Sequence, residues 1–205
     1  MAQDFSPGRI EVITGPMFSG KSEELIRRLK RAQIARRCVL CFRPDLNLSS
    51  YRTSIASHGA QTINAYVVAH TGELKEALLP VLQDVDVVGI DDAQFFDASL
   101  VRLVIELMRM GKRVLVAGLD TTFAGEPFPP IPELLAVADE VVKLSAVCMQ
   151  CGAPAVHTQR LGPSQSLVLV GAEGAYEARC RSCFQPYHGE HEPEQLEIQG
   201  LGVRG

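Results

Sequence analysis

The stretch GPMFSGKS, residues 15–22, constrains this chain more than any other. It fits the pattern G-x-x-x-x-G-K-S/T in full. A short β-rich run, RIEVIT (9–14), precedes it. A helical pattern follows from Ser22 to about Arg37, with Leu25, Ile26, Leu29, Ala32 and Gln33 recurring at i, i+3, i+4 spacing and Glu23 and Glu24 near its start. A glycine-rich turn between strand and helix curls backbone amides around phosphate oxygens, and the helix N-terminus adds its dipole. Gly15, Pro16, Met17, Phe18, Ser19, Gly20, Lys21 and Ser22 are therefore expected to cradle the phosphates of a nucleotide. Lys21 would reach the β- and γ-phosphates, and the Ser22 hydroxyl would ligate Mg²⁺.

The rest of the first two thirds fits such a loop. CVLCF (38–42), INAYVV (63–68), VDVVGI (85–90) and RVLVAGL (113–119) read as strands, with helices expected over 72–83 and 98–110 and a polar loop over 43–60. The strands are mostly apolar on both faces and alternate with helices. This predicts an α/β fold, a mostly parallel sheet flanked by helices. After 119 comes a Pro/Gly-rich loop, DTTFAGEPFPPIP, then a short helix (132–138) and a strand, EVVKLSAV.

A phosphate loop of this kind needs an acid at the carboxyl end of a neighbouring strand to hold magnesium. VDVVGID supplies Asp91 there, whereas Asp86 lies at the wrong end of the same run. Asp91 could alternatively cap the next helix. Asp92 follows it directly.

Two C-x-x-C pairs, Cys148 with Cys151 and Cys180 with Cys183, point to a four-thiolate zinc site. The segment between them has room for a hairpin. His157 and His188 are read as surface histidines, since four thiolates complete the shell. Cys38 and Cys41 lie inside an apolar run with no turn between them and are read as core residues. The opening MAQDFSPGRIEV has neither a basic region nor an apolar one, so a reducing cytosol is expected. With no run near the length of a membrane span and a net charge of −4, neither membrane nor nucleic acid is expected as a partner. Arg27, Arg28, Lys30, Arg31, Arg36 and Arg37 cluster on the first helix, which suggests a solvated face or a subunit contact.

GPMFSGKS, IDDAQFF, GLDTTF, VVKLSAVCMQC and RLG…VLVGAEGAYEARCRSC, in this order, resemble the cytosolic-type thymidine kinases, from about Arg9 to His188. The resemblance implies transfer of the ATP γ-phosphate to the 5′-hydroxyl of thymidine (or deoxyuridine) with Mg²⁺. It also implies a small zinc-ribbon-like domain carrying a lasso loop over the nucleoside. By position, Met17, Phe95, Leu119, Phe123 and Phe128 would line the thymine pocket, and Leu167, Leu169, Gly171 and Tyr176 would close over it from the lasso. The expected division is 1–8 as a flexible start, 9–144 as the kinase domain, 145–189 as the zinc domain with its lasso, and 190–205 as a flexible tail, the last read from its composition and terminal position. A homotetramer and feedback inhibition by thymidine triphosphate (dTTP) are implied by the resemblance alone.

Two positions depart from the family. Its usual catalytic base is glutamate, but here it is Asp92, which reaches about 1.5 Å less. The arginine that steadies the transferring phosphoryl group falls near Ser49, so Arg52 is the nearest candidate for that catalytic role, while His58 keeps its expected place. Three readings stay open at this point: an active thymidine kinase, a kinase of another deoxynucleoside, and a weakened nucleotide-binding variant.

Overall fold

The computed structural model of the protein describes residues 8–46, 54–56, 62–162 and 174–186. Six strands form one parallel sheet in the order β5-β2-β6-β7-β1-β8. In chain order these are β1 (Arg9–Thr14), β2 (Val39–Pro44), β5 (Tyr66–Val68), β6 (Val87–Ile90), β7 (Arg113–Gly118) and β8 (Glu140–Lys143). β3 (Ser54–Ala56) and β4 (Thr62–Asn64) pair antiparallel as a separate ribbon. The expected α/β class, a parallel sheet with helices on both faces, is what the chain adopts.

The two faces of the sheet are filled from alternate positions of the same strands, as the side-chain period of two requires. On one face Ile10, Val12, Val114, Val116, Val88 and Ile90 pack against Leu100, Leu103 and Leu107 of α3 (Ser99–Arg109) and Leu134 of α4 (Ile131–Val137). On the other, Ile13, Leu115, Ala117, Val87 and Cys41 meet Leu25, Ile26 and Leu29 of α1 (Lys21–Ile34). Helix and sheet touch closely at Gly89, where an added Cβ would lie 2.6 Å from Leu29 Cδ1.

Several boundaries differ from those expected. α1 ends at Ile34, before Arg37. Arg36 turns left-handed (φ 58°), and its amide and that of Arg37 bond back to Gln33 and Ala32. This is the double bond of a Schellman stop, here with arginine where glycine is usual. The helix expected over 72–83 is α2 (Thr71–Leu78) with a 3₁₀ turn, Leu79–Val81; Pro80 cannot donate the bond that would continue it. INAYVV divides around Ala65, because β4 bonds to β3 while β5 bonds in parallel to β2. The polar segment 43–60 therefore contains a strand. EVVKLSAV divides likewise into β8 and β9 (Ala146–Val147). Cys38 is exposed, outside the strand, and only Cys41 is core.

The basic cluster on α1 is also not uniformly solvated. Arg28 turns inward and bonds Glu11 (2.6 Å), Glu24 (2.7 Å) and Glu140 (2.8 Å). Glu11 and Glu140 face each other across β1 and β8, so two like charges are held together by the guanidinium between them. Glu11 is 1% exposed and also receives Arg113 and Arg9. A buried carboxylate requires such partners.

The remaining elements form a small ribbon at the carboxyl end of the sheet. β9 pairs with β10 (Pro154–Ala155), and β11 (His157–Arg160) pairs with β12 (Tyr176–Arg179), both antiparallel. Among the described residues no helix is long and apolar enough to cross a membrane.

Candidate active site

The phosphate-loop motif lies between β1 and α1, as its sequence requires. Gly15 (φ 139°) and Gly20 (φ 83°) occupy backbone regions that side chains rarely adopt, and Phe18 is left-handed as well. Gly20 caps α1 without a side-chain bond, which leaves the first amides of the helix open to an anion. The Lys21 ammonium donates to the Pro16 carbonyl (2.7 Å), and the Ser19 hydroxyl donates to the same oxygen (2.8 Å). Burial lowers the Lys21 pKa, and the carboxylates of Asp92, Asp91 and Asp120 oppose that fall.

β6 delivers Asp91 to this loop. Its backbone N–H bonds Phe42 of β2 (2.9 Å), and its carboxylate, 4% exposed, receives the Ser22 hydroxyl. Burial first, and the adjacent Asp92 second, push the Asp91 carboxyl up to about 7. A buried carboxylate short of counter-charge, beside a hydroxyl and an anion loop, fits a hard divalent cation such as Mg²⁺. Asp86 sits at the other end of β6, accepting from the Cys38 amide (2.8 Å).

Asp92 adopts a left-handed conformation (φ 50°, ψ 42°) and starts the 3₁₀ turn Ala93–Phe95. Aspartate tolerates this region far better than longer side chains do. The Gln94 amide donates to Asp92 Oδ1 (3.3 Å) and accepts from the Leu119 N–H (3.0 Å).

The expected pocket residues gather around the same edge. Phe95 and Phe128 meet edge to face at 6.1 Å. The segment after β7, expected only as a Pro/Gly-rich loop, is a compact turn. Thr122 and Glu126 bond across it (2.8 Å), and it holds Phe123 and Phe128 nine-tenths buried. Gly125 in that turn is approached by Phe184 of the ribbon, whose ring an added Cβ would meet at 3.1 Å. Beside it, Asp120 is paired with Lys143 (2.6 Å).

Two residues join ribbon to sheet that sequence reasoning missed. The Met17 N–H donates to the Thr158 hydroxyl (3.0 Å). The Arg160 guanidinium lies over the Phe123 ring (3.7 Å) and the Tyr176 ring (5.1 Å), and bonds the Tyr176 hydroxyl. Both are buried on one face of β11, alternating with His157 and Gln159. All four residues of HTQR are polar, so the sequence carries no apolar alternation that would have marked the buried face.

The four expected metal cysteines converge, with their sulfurs within 4.8 Å of one another. The Cys180 amide, the largest influence on Cys148, helps lower that thiol to about 6; the neighbouring sulfurs of Cys151 and Cys180 push Cys183 up to about 12. Four sulfurs so placed cannot all ionise without a cation, and the set could hold zinc. His157 is not a surface histidine. Its ring stacks on Phe184 (4.3 Å), and burial lowers its pKa. Arg52, His58, Leu167, Leu169, Gly171 and His188 lie outside the described residues.

Comparison with known proteins adds two findings. A family model described as thymidine kinase matches residues 8–184. A curated protein of Rhodothermus sp. (strain ITI 518), named thymidine kinase, is 50% identical over 181 residues, covering 88% of this chain and 83% of that protein.

Proposed function

This chain belongs to the thymidine kinase family, and on that premise we propose that it moves the γ-phosphate of ATP to the 5′-hydroxyl of thymidine or deoxyuridine. The reading is supported above all by one convergence. Lys21, Ser22, Asp91 and Asp92 meet at the carboxyl edge of the sheet, with both carboxylates acting on the buried Lys21 ammonium.

In this reading the amides of Gly15 to Gly20 and the Lys21 ammonium hold the triphosphate. Asp91 and the Ser22 hydroxyl hold Mg²⁺, which when bound offsets charge on the transferring phosphoryl group. Asp92 accepts the proton of the attacking 5′-hydroxyl, and Arg52 steadies the phosphoryl group. Met17, Phe95, Leu119, Phe123, Phe128 and Tyr176 enclose the nucleoside, with Leu167, Leu169 and Gly171 completing the closure. Zn²⁺ on Cys148, Cys151, Cys180 and Cys183 is structural and holds the ribbon that carries Thr158, Arg160 and Tyr176. The domain division given above, a homotetramer, inhibition by dTTP and a cytoplasmic location complete the proposal.

Steady-state assay with Mg-ATP and a panel of deoxynucleosides tests it. Thymidine and deoxyuridine should be converted to 5′-monophosphates in preference to the others. Preferred conversion of another base would place the chain's specificity elsewhere. Binding of ATP and thymidine without transfer would favour a weakened variant, a reading motivated by Asp92 standing where the resemblance implies glutamate.

A further inference from the structure

Gln94 is buried to 4% exposure at the junction of two strand ends, yet nothing in the proposed chemistry uses it. Its amide orientation is fixed by its surroundings. The Leu119 N–H must meet an acceptor, and Gln94 Oε1 supplies it at 3.0 Å. The Nε2 donor is thereby aimed at Asp92 Oδ1, 3.3 Å away. The aliphatic side chain of Ile131 and the backbone of Gly118 leave no slack. A Cβ on Gly118 would lie 2.9 Å from Gln94 Oε1 and 2.6 Å from Ile131 Cδ1. Gln94 thus cannot turn without losing the Leu119 bond, and Asp92 Oδ1 is tied to the end of β7 through it.

Asp92 needs such a tie. Its backbone is left-handed, which sends its side chain away from the direction an extended residue would give it. Its carboxylate has two rotatable bonds and a negative neighbour, Asp91, that repels it. A side chain short by one methylene can serve a reacting oxygen only if its direction is held, since errors of about 1 Å at a reacting centre cost about 100-fold in rate.

We propose that Gln94 is a positioning residue that fixes the Asp92 carboxylate against the Gly118–Leu119 backbone, so that aspartate serves as base in this chain. The inference rests on the reading of Asp92 as base. Leu119 is itself expected in the nucleoside pocket, so the same amide sets the distance between base and nucleoside.

The test is a double-mutant cycle. Gln94→Glu keeps an oxygen for the Leu119 N–H but replaces the donor facing Asp92 with a repelling carboxylate. It should lower kcat for thymidine about 100-fold, with KM for thymidine and ATP nearly unchanged; the buried, unpaired carboxylate also lowers the melting temperature, so rates are compared well below that transition. In an Asp92→Asn background the same change should alter the residual rate by no more than about twofold. Gln94→Met, of similar length but without donor or acceptor, is read in the same two backgrounds should the glutamate variant fold poorly. Unchanged kcat in the parent background overturns the proposal. An equal loss in both backgrounds overturns it too, because it shows that Gln94 acts independently of Asp92. Full kcat in Asp92→Asn alone would instead remove the base reading on which the proposal stands.

Discussion

The Arg160 guanidinium stacks 3.7 Å from the centre of the Phe123 ring, which joins the four-cysteine ribbon to the turn after β7. Tyr176, on the paired strand, takes its other contact and a hydrogen bond. A desolvated cation over an aromatic face contributes about 2 kcal/mol. Arg160→Ala should therefore raise the thymidine KM about 10- to 30-fold, while the ATP KM and zinc content stay near those of the parent. Arg160→Lys should recover only part of the loss, because an ammonium cannot stack as a planar guanidinium does. An unchanged thymidine KM in Arg160→Ala would show that the stack does not shape the pocket.

Lys21 is the one cation held inside the phosphate loop motif, against the Pro16 carbonyl. Lys21→Ala should cut phosphoryl transfer at least about 100-fold without changing zinc stoichiometry. Retained turnover would remove the phosphate-loop assignment.

Cys180 is one of the four clustered thiols, its sulfur 3.6 Å from that of Cys151. Cys180→Ser should lose zinc, measured by metal analysis, and lower the melting temperature. Cys180 directly follows β12, whose pairing with β11 carries Arg160 and Tyr176, so thymidine affinity should fall as well. Chelation of the parent should reproduce these changes.

Asp92 occupies a left-handed position that suits a short polar side chain better than a longer one. Asp92→Glu should therefore turn over thymidine no faster than the parent. A large increase in kcat would mean that this chain carries a shortened base rather than a site built for aspartate.

Glu24 is held down at about 2, from an ordinary 4.5, first by the hydrogen bond from Arg27 and then, against burial, by Arg28. Burial would raise Glu11, but hydrogen bonds from Arg113 and Arg28 outweigh it and hold that carboxyl low as well. A depressed carboxyl contributes stability above its unfolded value and loses it as pH falls through the folded value. Melting temperature should therefore drop between about pH 4.5 and pH 2, with Glu24 contributing about 1 kcal/mol after solvent screening. Glu24→Gln should flatten the profile in that window. Glu11→Gln should cost about 3 kcal/mol at neutral pH, by removing the buried charge that Arg28 and Arg113 are paired with. A profile identical in parent and variants would show that this network does not set acid stability.

The parts of this protein that the sequence determined are those set by short spacing along the chain. GPMFSGKS specifies its loop because glycines at fixed offsets permit the turn, and the strand and helix beside it are read from their own periodicity. Asp91 follows because an apolar run can only carry it to one end of a parallel strand. The two C-x-x-C pairs likewise carry their geometry with them. What lay beyond the sequence depends on pairs far apart in the chain. Met17 and Thr158 are 141 residues apart, and Arg28 and Glu140 are 112 apart. Neither Thr158 nor Arg28 has a local pattern that names its partner. The inward turn of Arg28 out of a basic helix, the stacking of Arg160 and the Gln94 bridge to Asp92 were decided by the tertiary structure. Burial there removes water as a partner, so each polar group must find one across the fold.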